Sequence, residues 1–138
     1  MKLHQKKFGK VGSATLELAL TLIILLNVTY GTIEFGQYFY VKNQIQGAAR
    51  EGARASVTSG ATQTDVTSAI TGVMNVAGLQ NSGYTVTTSP ANVASAASGS
   101  SITVNVQCTW GTVGAGYRPF SLIGSDKVVR GTAVMRKE

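Results

Sequence analysis

The pattern of hydrophobic and polar positions divides the chain into an apolar N-terminal stretch and a mixed remainder. Residues 13–33 form a stretch of 21 residues in which Glu17 is the only charged side chain. A helix of this length spans ~31 Å at about 1.5 Å per residue, close to the thickness of a bilayer core. Aromatic residues of the kind found at membrane interfaces cluster at its outer end. They are Tyr30, Phe35, Tyr38, Phe39 and Tyr40.

The helical pattern continues beyond the apolar stretch, because helix-favouring residues follow it and no proline occurs before Pro90. We therefore predict one long helix from about Ser13 to Val57. Its distal half carries small residues at spacings of three or four, which form a surface that another backbone can approach closely. These residues are Gly47, Ala48, Ala49, Gly52, Ala53 and Ala55. They predict a face for packing against a sheet, a helix or another subunit.

The remaining sequence predicts a second, short helix and about three strands. The helix is expected to begin at a Thr64–Asp65 cap and to stop at Gly78, with apolar residues Val66, Ala69, Ile70, Val73 and Ala77 at helical spacing. Period-two alternation indicates strands at residues 84–88, 102–108 and 127–135, separated by turn-rich links. The prediction is an α+β fold in which a small antiparallel sheet packs on the outer half of the long helix.

The charge distribution indicates membrane topology. Four of the twelve basic residues, Lys2, Lys6, Lys7 and Lys10, precede the apolar stretch, whereas all six acidic residues follow the leader. Positive charge before a first apolar segment is retained in the cytoplasm, so residues after Tyr40 are expected outside it. Residues 13–138 then carry eight basic and six acidic side chains, a formal charge of +2. The basic pI therefore reflects topology and does not indicate nucleic-acid binding.

The leader carries an unusual candidate cleavage site. An ordinary secretory signal has small residues in an A-x-A-like pattern after its apolar run, and residues 30–34 (YGTIE) contain no such site. A small residue, Gly12, instead precedes the run, and glycine supplies the extended, unhindered backbone that a peptidase needs at the cut. Cleavage there divides the chain into a leader (1–12), a membrane-spanning segment (13–34) and an extracytoplasmic domain (35–138).

The segment 12–17 (GSATLE) resembles a type IV prepilin site, in which glycine precedes a mature chain with glutamate at its fifth position. Residues 33–36 (IEFG), 48–54 (AAREGAR) and 132–138 (TAVMRKE) extend the resemblance to the TadE family of pseudopilins. The resemblance implies a pilin-like fold and cleavage after Gly12 by a prepilin peptidase. It also implies a bacterial inner-membrane location, then the pilus or cell surface, with other pilin subunits and inner-membrane assembly proteins as partners in a homo- or hetero-oligomer.

Cleavage after Gly12 would create an α-amine on Ser13, with a reference pKa of about 7.7–8.0. This amine would lie about 6 Å from Glu17 along the same helix, or could reach the Glu17 of a neighbouring subunit. The resemblance implies that the pairing between subunits sets axial register in a filament. The alternative is an interfacial glutamate that contacts lipid headgroups.

The other polar and aromatic candidates carry structural expectations. Glu51 and Arg54 can pair at i,i+3, and with Arg50 they form a solvated face or a packing contact. Glu34 is expected to be a helix-surface charge rather than a ligand, and Cys108 a buried strand residue, with an intermolecular disulfide as the alternative. Trp110, Tyr117 and Phe120 are expected in the core or at the domain edge, with a subunit contact as the alternative.

No catalytic, cofactor or metal-binding set is recognisable in the sequence. The one histidine, His4, lies in the leader, so Cys108 would lack a histidine partner in the mature chain. The carboxylates show no paired or metal-ligand spacing, and the glycines of residues 111–116 lack the Gly-Lys-Ser/Thr ending of a P-loop. We expect a non-enzymatic protein without a metal or cofactor.

The expected function is that of a pseudopilin or minor pilin of a tight-adherence (Flp-type) pilus, supporting pilus biogenesis, adhesion or secretion. Two alternatives stay open. One is a membrane-anchored accessory or binding module of a secretion system that never polymerises, and the other is a major pilin subunit.

Overall fold

The computed structural model describes residues 11–113 and 120–138. The four leader lysines, His4 and Tyr117 lie outside the described residues. In chain order the elements are helix α1 (Val11–Val57), helix α2 (Gln63–Val76), strand β1 (Thr85–Ser89), a 3-10 turn (Val93–Ser95), strand β2 (Ser101–Thr109), a short helix α3 (Trp110–Val113) and strand β3 (Val128–Arg136). The predicted α+β fold is confirmed.

Helix α1 is continuous, as predicted, and ends three residues before Gly60, whose φ of 77° stops helical geometry. It begins at Val11, two residues earlier than expected, so Gly12 lies in helical rather than extended backbone. The N-terminal part of α1 is long and apolar enough to cross a membrane. Residues 14–33 are called the span below, and among them only Gly31 is buried.

The N-cap of helix α2 lies two residues earlier than the sequence suggested. Thr62, not Thr64, is the N-cap, and Asp65 closes a capping box in which the Thr62 N–H donates to the Asp65 carboxylate at 2.8 Å. Hydrogen bonds from the Thr62 hydroxyl and N–H lower the pKa of Asp65. At the other end Gly78, with φ of 70°, terminates the helix as predicted, and the Leu79 N–H donates to the Met74 carbonyl at 2.8 Å.

The sheet is three-stranded and antiparallel, with the order β1-β2-β3. The predicted alternation of β2 is confirmed, since its apolar residues Ile102, Val104, Val106 and Cys108 are buried. This buried face packs with α2 against the distal half of α1. We call this assembly, residues 35–138, the head. Its core also contains Val41, Ile45, Ala48, Ala49 and Ala53 of α1, Val66, Ile70 and Met74 of α2, and Val129 and Ala133 of β3.

Two glycines permit the closest approaches to α1. A Cβ on Gly131 of β3 would lie 2.5 Å from the Ile45 carbonyl oxygen and 2.8 Å from the Gln46 Cα, both backbone atoms of the helix. A Cβ on Gly52 would lie 2.7 Å from two side-chain carbons of Ile70 in α2. The small-residue face thus packs within the head, and the strand contributes a small residue of its own.

Side chains of α1 also pair with the backbone of β3. The Gln46 side-chain amide donates to the Thr132 carbonyl at 2.8 Å and accepts from the Thr132 N–H at 3.3 Å. Lys42 Nζ donates to the Arg130 carbonyl at 3.1 Å. Because β3 is an edge strand, these bonds satisfy backbone groups that would otherwise template further strands.

We expect Gly131→Ala to destabilise the head by ~1–3 kcal/mol, because the added methyl group meets rigid helix backbone rather than a movable side chain. Gly47→Ala is the matched control, since a Cβ there meets nothing within 4 Å, and it should be neutral or stabilising by up to ~1 kcal/mol. Urea unfolding of the full chain in detergent, followed by Trp110 fluorescence, measures both. Equal unfolding midpoints for the two variants would contradict the packing role of Gly131.

Candidate functional site: the exposed span and its junction with the head

The predicted processing end of α1 is accessible. Gly12 is exposed, and a Cβ on it would meet nothing within 4 Å. Glu17 is exposed one helical turn beyond Ser13 and forms no ion pair with the described part of its own chain. Its backbone carbonyl accepts a hydrogen bond from the Thr21 hydroxyl at 2.8 Å. The carboxylate therefore stands on the open surface of an apolar helix.

The neutral polar side chains of the span, in contrast, bond within their own helix. The hydroxyls of Thr29 and Thr32 and the side-chain amide of Asn27 each donate to the carbonyl four residues earlier, at 2.8 Å. Such back-bonding satisfies polar groups where no water is available. An ionised Glu17 has no hydrogen to donate, so it cannot bond to the carbonyl four residues earlier in the same way.

The prediction for Glu34 is wrong. This residue is 0% exposed, and its Oε1 atom accepts a hydrogen bond from the Ile123 N–H at 2.9 Å. Its Oε2 atom has no hydrogen-bond partner among the described residues. Periodicity placed Glu34 on the helix surface, but it could not show that residues 120–123 fold back over that surface. The Glu34 carboxylate supplies an acceptor for the backbone N–H that Ile123 of the returning chain presents.

We call residues 120–123 the strap. Phe120 packs edge-on against Tyr30, with ring centroids 5.3 Å apart, and Leu122 Cδ1 lies 3.4 Å from the position of a Cβ on Gly31. Ser121 turns the chain between them with φ of 50°, a conformation rare for residues other than glycine. Phe120 therefore packs on the span at the edge of the head, which is one of the two places predicted for it, and not in the core.

The predicted interface residues of the outer helix fall on two sides. Ala48 and Gly52 are buried inside the head, whereas Gly47 is half-buried with open space beside it. Arg54 Nε lies 3.9 Å from Glu51 Oε1, as the i,i+3 spacing predicted, and Arg50 is exposed. An exposed pair of this kind contributes at most ~0.5 kcal/mol. The charged side chains are left accessible to a neighbouring molecule.

Trp110 and Cys108 are core residues, as predicted. Trp110 is fully buried and packs edge-on against Tyr38 with centroids 5.3 Å apart. Tyr38 was expected in an interfacial aromatic belt, but it packs against the core of the head instead. Burial raises the pKa of the Cys108 thiol to about 11, so the thiol is protonated at neutral pH and is a poor candidate for an intermolecular disulfide.

The described residues contain no group of three or more His, Cys, Asp or Glu side chains that could hold a metal ion. Two carboxylates lie at opposite ends of the span. Glu17 is exposed to the surroundings of the helix, and Glu34 is enclosed by the strap.

Comparison with known proteins gives a family match for the N-terminal part of the chain. The family model of TadE-like protein matches residues 12–54, which confirms the resemblance predicted from the sequence over nearly all of α1. The match lies within α1 and does not extend to α2 or the sheet. Neither the curated proteins nor the solved structures contain a match to this chain.

We expect Glu34→Ala to release the strap, because the Ile123 N–H loses its acceptor. Hydrogen exchange of the Ile123 amide should accelerate by roughly 10-fold, since leaving a buried donor without an acceptor costs about 1–3 kcal/mol. Glu34→Gln keeps an acceptor oxygen and should stay within about 3-fold of the unsubstituted chain. Glu51→Ala, which removes a partly exposed glutamate of the same helix, is the control. Unchanged exchange in Glu34→Ala would show that Glu34 does not hold the strap.

Proposed function

We propose that this chain is a pseudopilin or minor pilin of a tight-adherence (Flp-type) pilus. A prepilin peptidase removes residues 1–12, the span stays in the inner membrane with its N-terminus in the cytoplasm, and the head lies outside. The processed subunit then joins the pilus or its assembly machine through contacts between spans. The match to TadE-like protein over residues 12–54 supports this assignment and begins at the residue where cleavage is expected.

One observation carries the proposal: Glu17 stands exposed in an apolar span and is unpaired within the described part of its own chain. An unpaired charge at mid-bilayer is unfavourable by roughly 2.5–3.5 kcal/mol on insertion scales, and by less near the edge. The cationic partner that removes this penalty is the new α-amine of Ser13. When that amine belongs to a neighbouring subunit, the pair fixes one helix against the next along the filament axis.

The extent of the head supports a minor or initiating subunit. The head combines a second helix and a three-stranded sheet with the outer half of α1. A filament made of this subunit would have to place one such head at its surface for every copy. Exposed Arg50 and Arg54, together with half-buried Glu51, offer charged contacts to the next subunit. A protein that remains single in the membrane would need neither cleavage nor Glu17.

Processing is tested by intact-mass analysis of the protein from its native membrane, with and without the prepilin peptidase. We expect the mature mass to correspond to residues 13–138 and the full-length mass to persist in the peptidase-deficient strain. Gly12→Leu should retain the leader, because a bulky side chain obstructs the peptidase at the cut. Gly36→Ala, at another open glycine of the same helix, should be processed normally. An N-terminus at Met1 in the wild-type membrane would refute the proposal.

Assembly is tested by Glu17→Gln and Glu17→Ala. Both variants should insert and be cleaved, yet incorporation into sheared pili should fall by ~10-fold or more, since losing 1.4 kcal/mol per contact lowers an association constant tenfold. Glu51→Ala is the matched control, because it removes a partly exposed glutamate of α1 outside the span. Normal incorporation of Glu17→Ala would remove the register role and favour a contact with headgroups.

A further inference from the structure

The strap exposes large apolar side chains beside the span. Phe120 is 45% exposed and Leu122 is 56% exposed, although each also contacts α1 at Tyr30 or Gly31. Leu26 and Ile33 of the span, about one helical turn to either side of Tyr30, are large apolar side chains that are exposed as well. The strap therefore extends the surface that a lipid environment would cover.

The contacts of the strap fix its level along α1. Tyr30 and Gly31 precede Glu34 by four and three residues. They therefore lie about 4.5–6 Å closer than Glu34 to the centre of the span along the helix axis. Both belong to the apolar stretch. When the span occupies the bilayer, residues packed on Tyr30 and Gly31 lie at or inside its outer boundary.

We propose that the strap is a second membrane-contacting element, with Phe120 and Leu122 inserted among the lipids of the outer leaflet beside α1. The head is then attached to the bilayer at two places rather than hanging from a single helix. This inference rests on the membrane anchoring contained in the proposed function. The partner is a lipid surface, recognised by apolar burial.

Glu34 supplies an acceptor for one backbone N–H of the strap. A chain segment that enters an apolar layer must satisfy its N–H groups internally. Glu34 Oε1 accepts the Ile123 N–H at 2.9 Å, and the fully buried carboxylate is itself kept away from the lipid by the strap. The same contact therefore fixes the strap against α1 and satisfies a donor at the membrane boundary.

The charges above the strap suit a lipid headgroup layer. Lys127 follows the strap, Arg130 lies three residues further on, and Lys42 Nζ bonds to the Arg130 carbonyl at 3.1 Å. All three residues are exposed, with Asp126 as the acidic neighbour. Lys42 lies eight residues, about 12 Å, beyond Glu34 along α1, so these cations lie on the headgroup side of the strap.

The test places an environment-sensitive fluorophore, NBD, at three single cysteines in the full chain: Leu26→Cys, Leu122→Cys and Val134→Cys. Val134 matches Leu122 in exposure, at 59%, but lies on β3 two residues beyond Thr132, which bonds to Gln46. Gln46 is twelve residues, about 18 Å, beyond Glu34 along α1. The unsubstituted chain, whose Cys108 is buried, is the labelling blank.

Each labelled chain is placed in nanodiscs of phosphatidylcholine and phosphatidylglycerol, with and without lipids that carry a nitroxide quencher near the top of the acyl chain. We expect Leu122-NBD to be quenched at least ~3-fold more than Val134-NBD, because a nitroxide quenches only at short range, and to approach the quenching of Leu26-NBD.

The outcomes separate this inference from the proposed function. If Leu26-NBD is unquenched, the anchoring itself fails. If Leu26-NBD is quenched while Leu122-NBD behaves like Val134-NBD, the strap lies outside the lipid and the inference is overturned with anchoring intact. If Leu122-NBD escapes the quencher but shifts to the blue as subunits are added per disc, a second copy covers the strap, which also overturns it.

Discussion

The head depends on the contact between the backbone of α1 and the backbone of β3 at Gly131. A Cβ at this residue would lie within 2.5–2.8 Å of helix backbone atoms, so the strand reaches a distance that a larger residue would prevent. The close approach lets Gln46 bond both backbone groups of Thr132, which completes the edge of the sheet. The sheet and α2 then enclose the small-residue face of α1, and the core forms around it. One helix thus carries two kinds of surface, with large exposed apolar side chains on its N-terminal part and small residues packed inside the head.

The two carboxylates at the ends of the span are used in opposite ways. Glu34 is enclosed within the molecule, because the strap covers it, and its Oε1 atom accepts the Ile123 N–H while Oε2 has no partner among the described residues. Glu17 is left exposed, with no ion pair to the described residues of its own chain. A charge that the subunit does not neutralise favours association with a partner that does. The arrangement gives the outer end of the span an intramolecular role and the inner end, by our proposal, an intermolecular one.

The part shared with TadE-like protein is essentially the helix. The match ends at residue 54, three residues before α1 does, and omits α2, the sheet and the strap. Residues 12–54 contain the predicted cleavage site, the span and the small-residue face, each of which is specified by local sequence. The head has to satisfy a weaker requirement, which is to present an apolar sheet face and a small strand residue to that helix. Many sequences meet such a requirement.

The sequence by itself determined the long helix, the second helix, the three strands and the burial of Cys108, because these follow from apolar periodicity, capping residues and alternation within short segments. It also marked Glu17, since a charge in an apolar stretch is visible without a structure. Only the tertiary structure decided what Glu34, Phe120, Tyr38 and Gly131 contact and how far they are buried. Each depends on a partner remote in sequence, as when the Ile123 N–H meets a carboxylate 89 positions earlier. Local pattern assigns a residue to a helix face, but a chain returning from elsewhere decides whether that face meets solvent, lipid or protein.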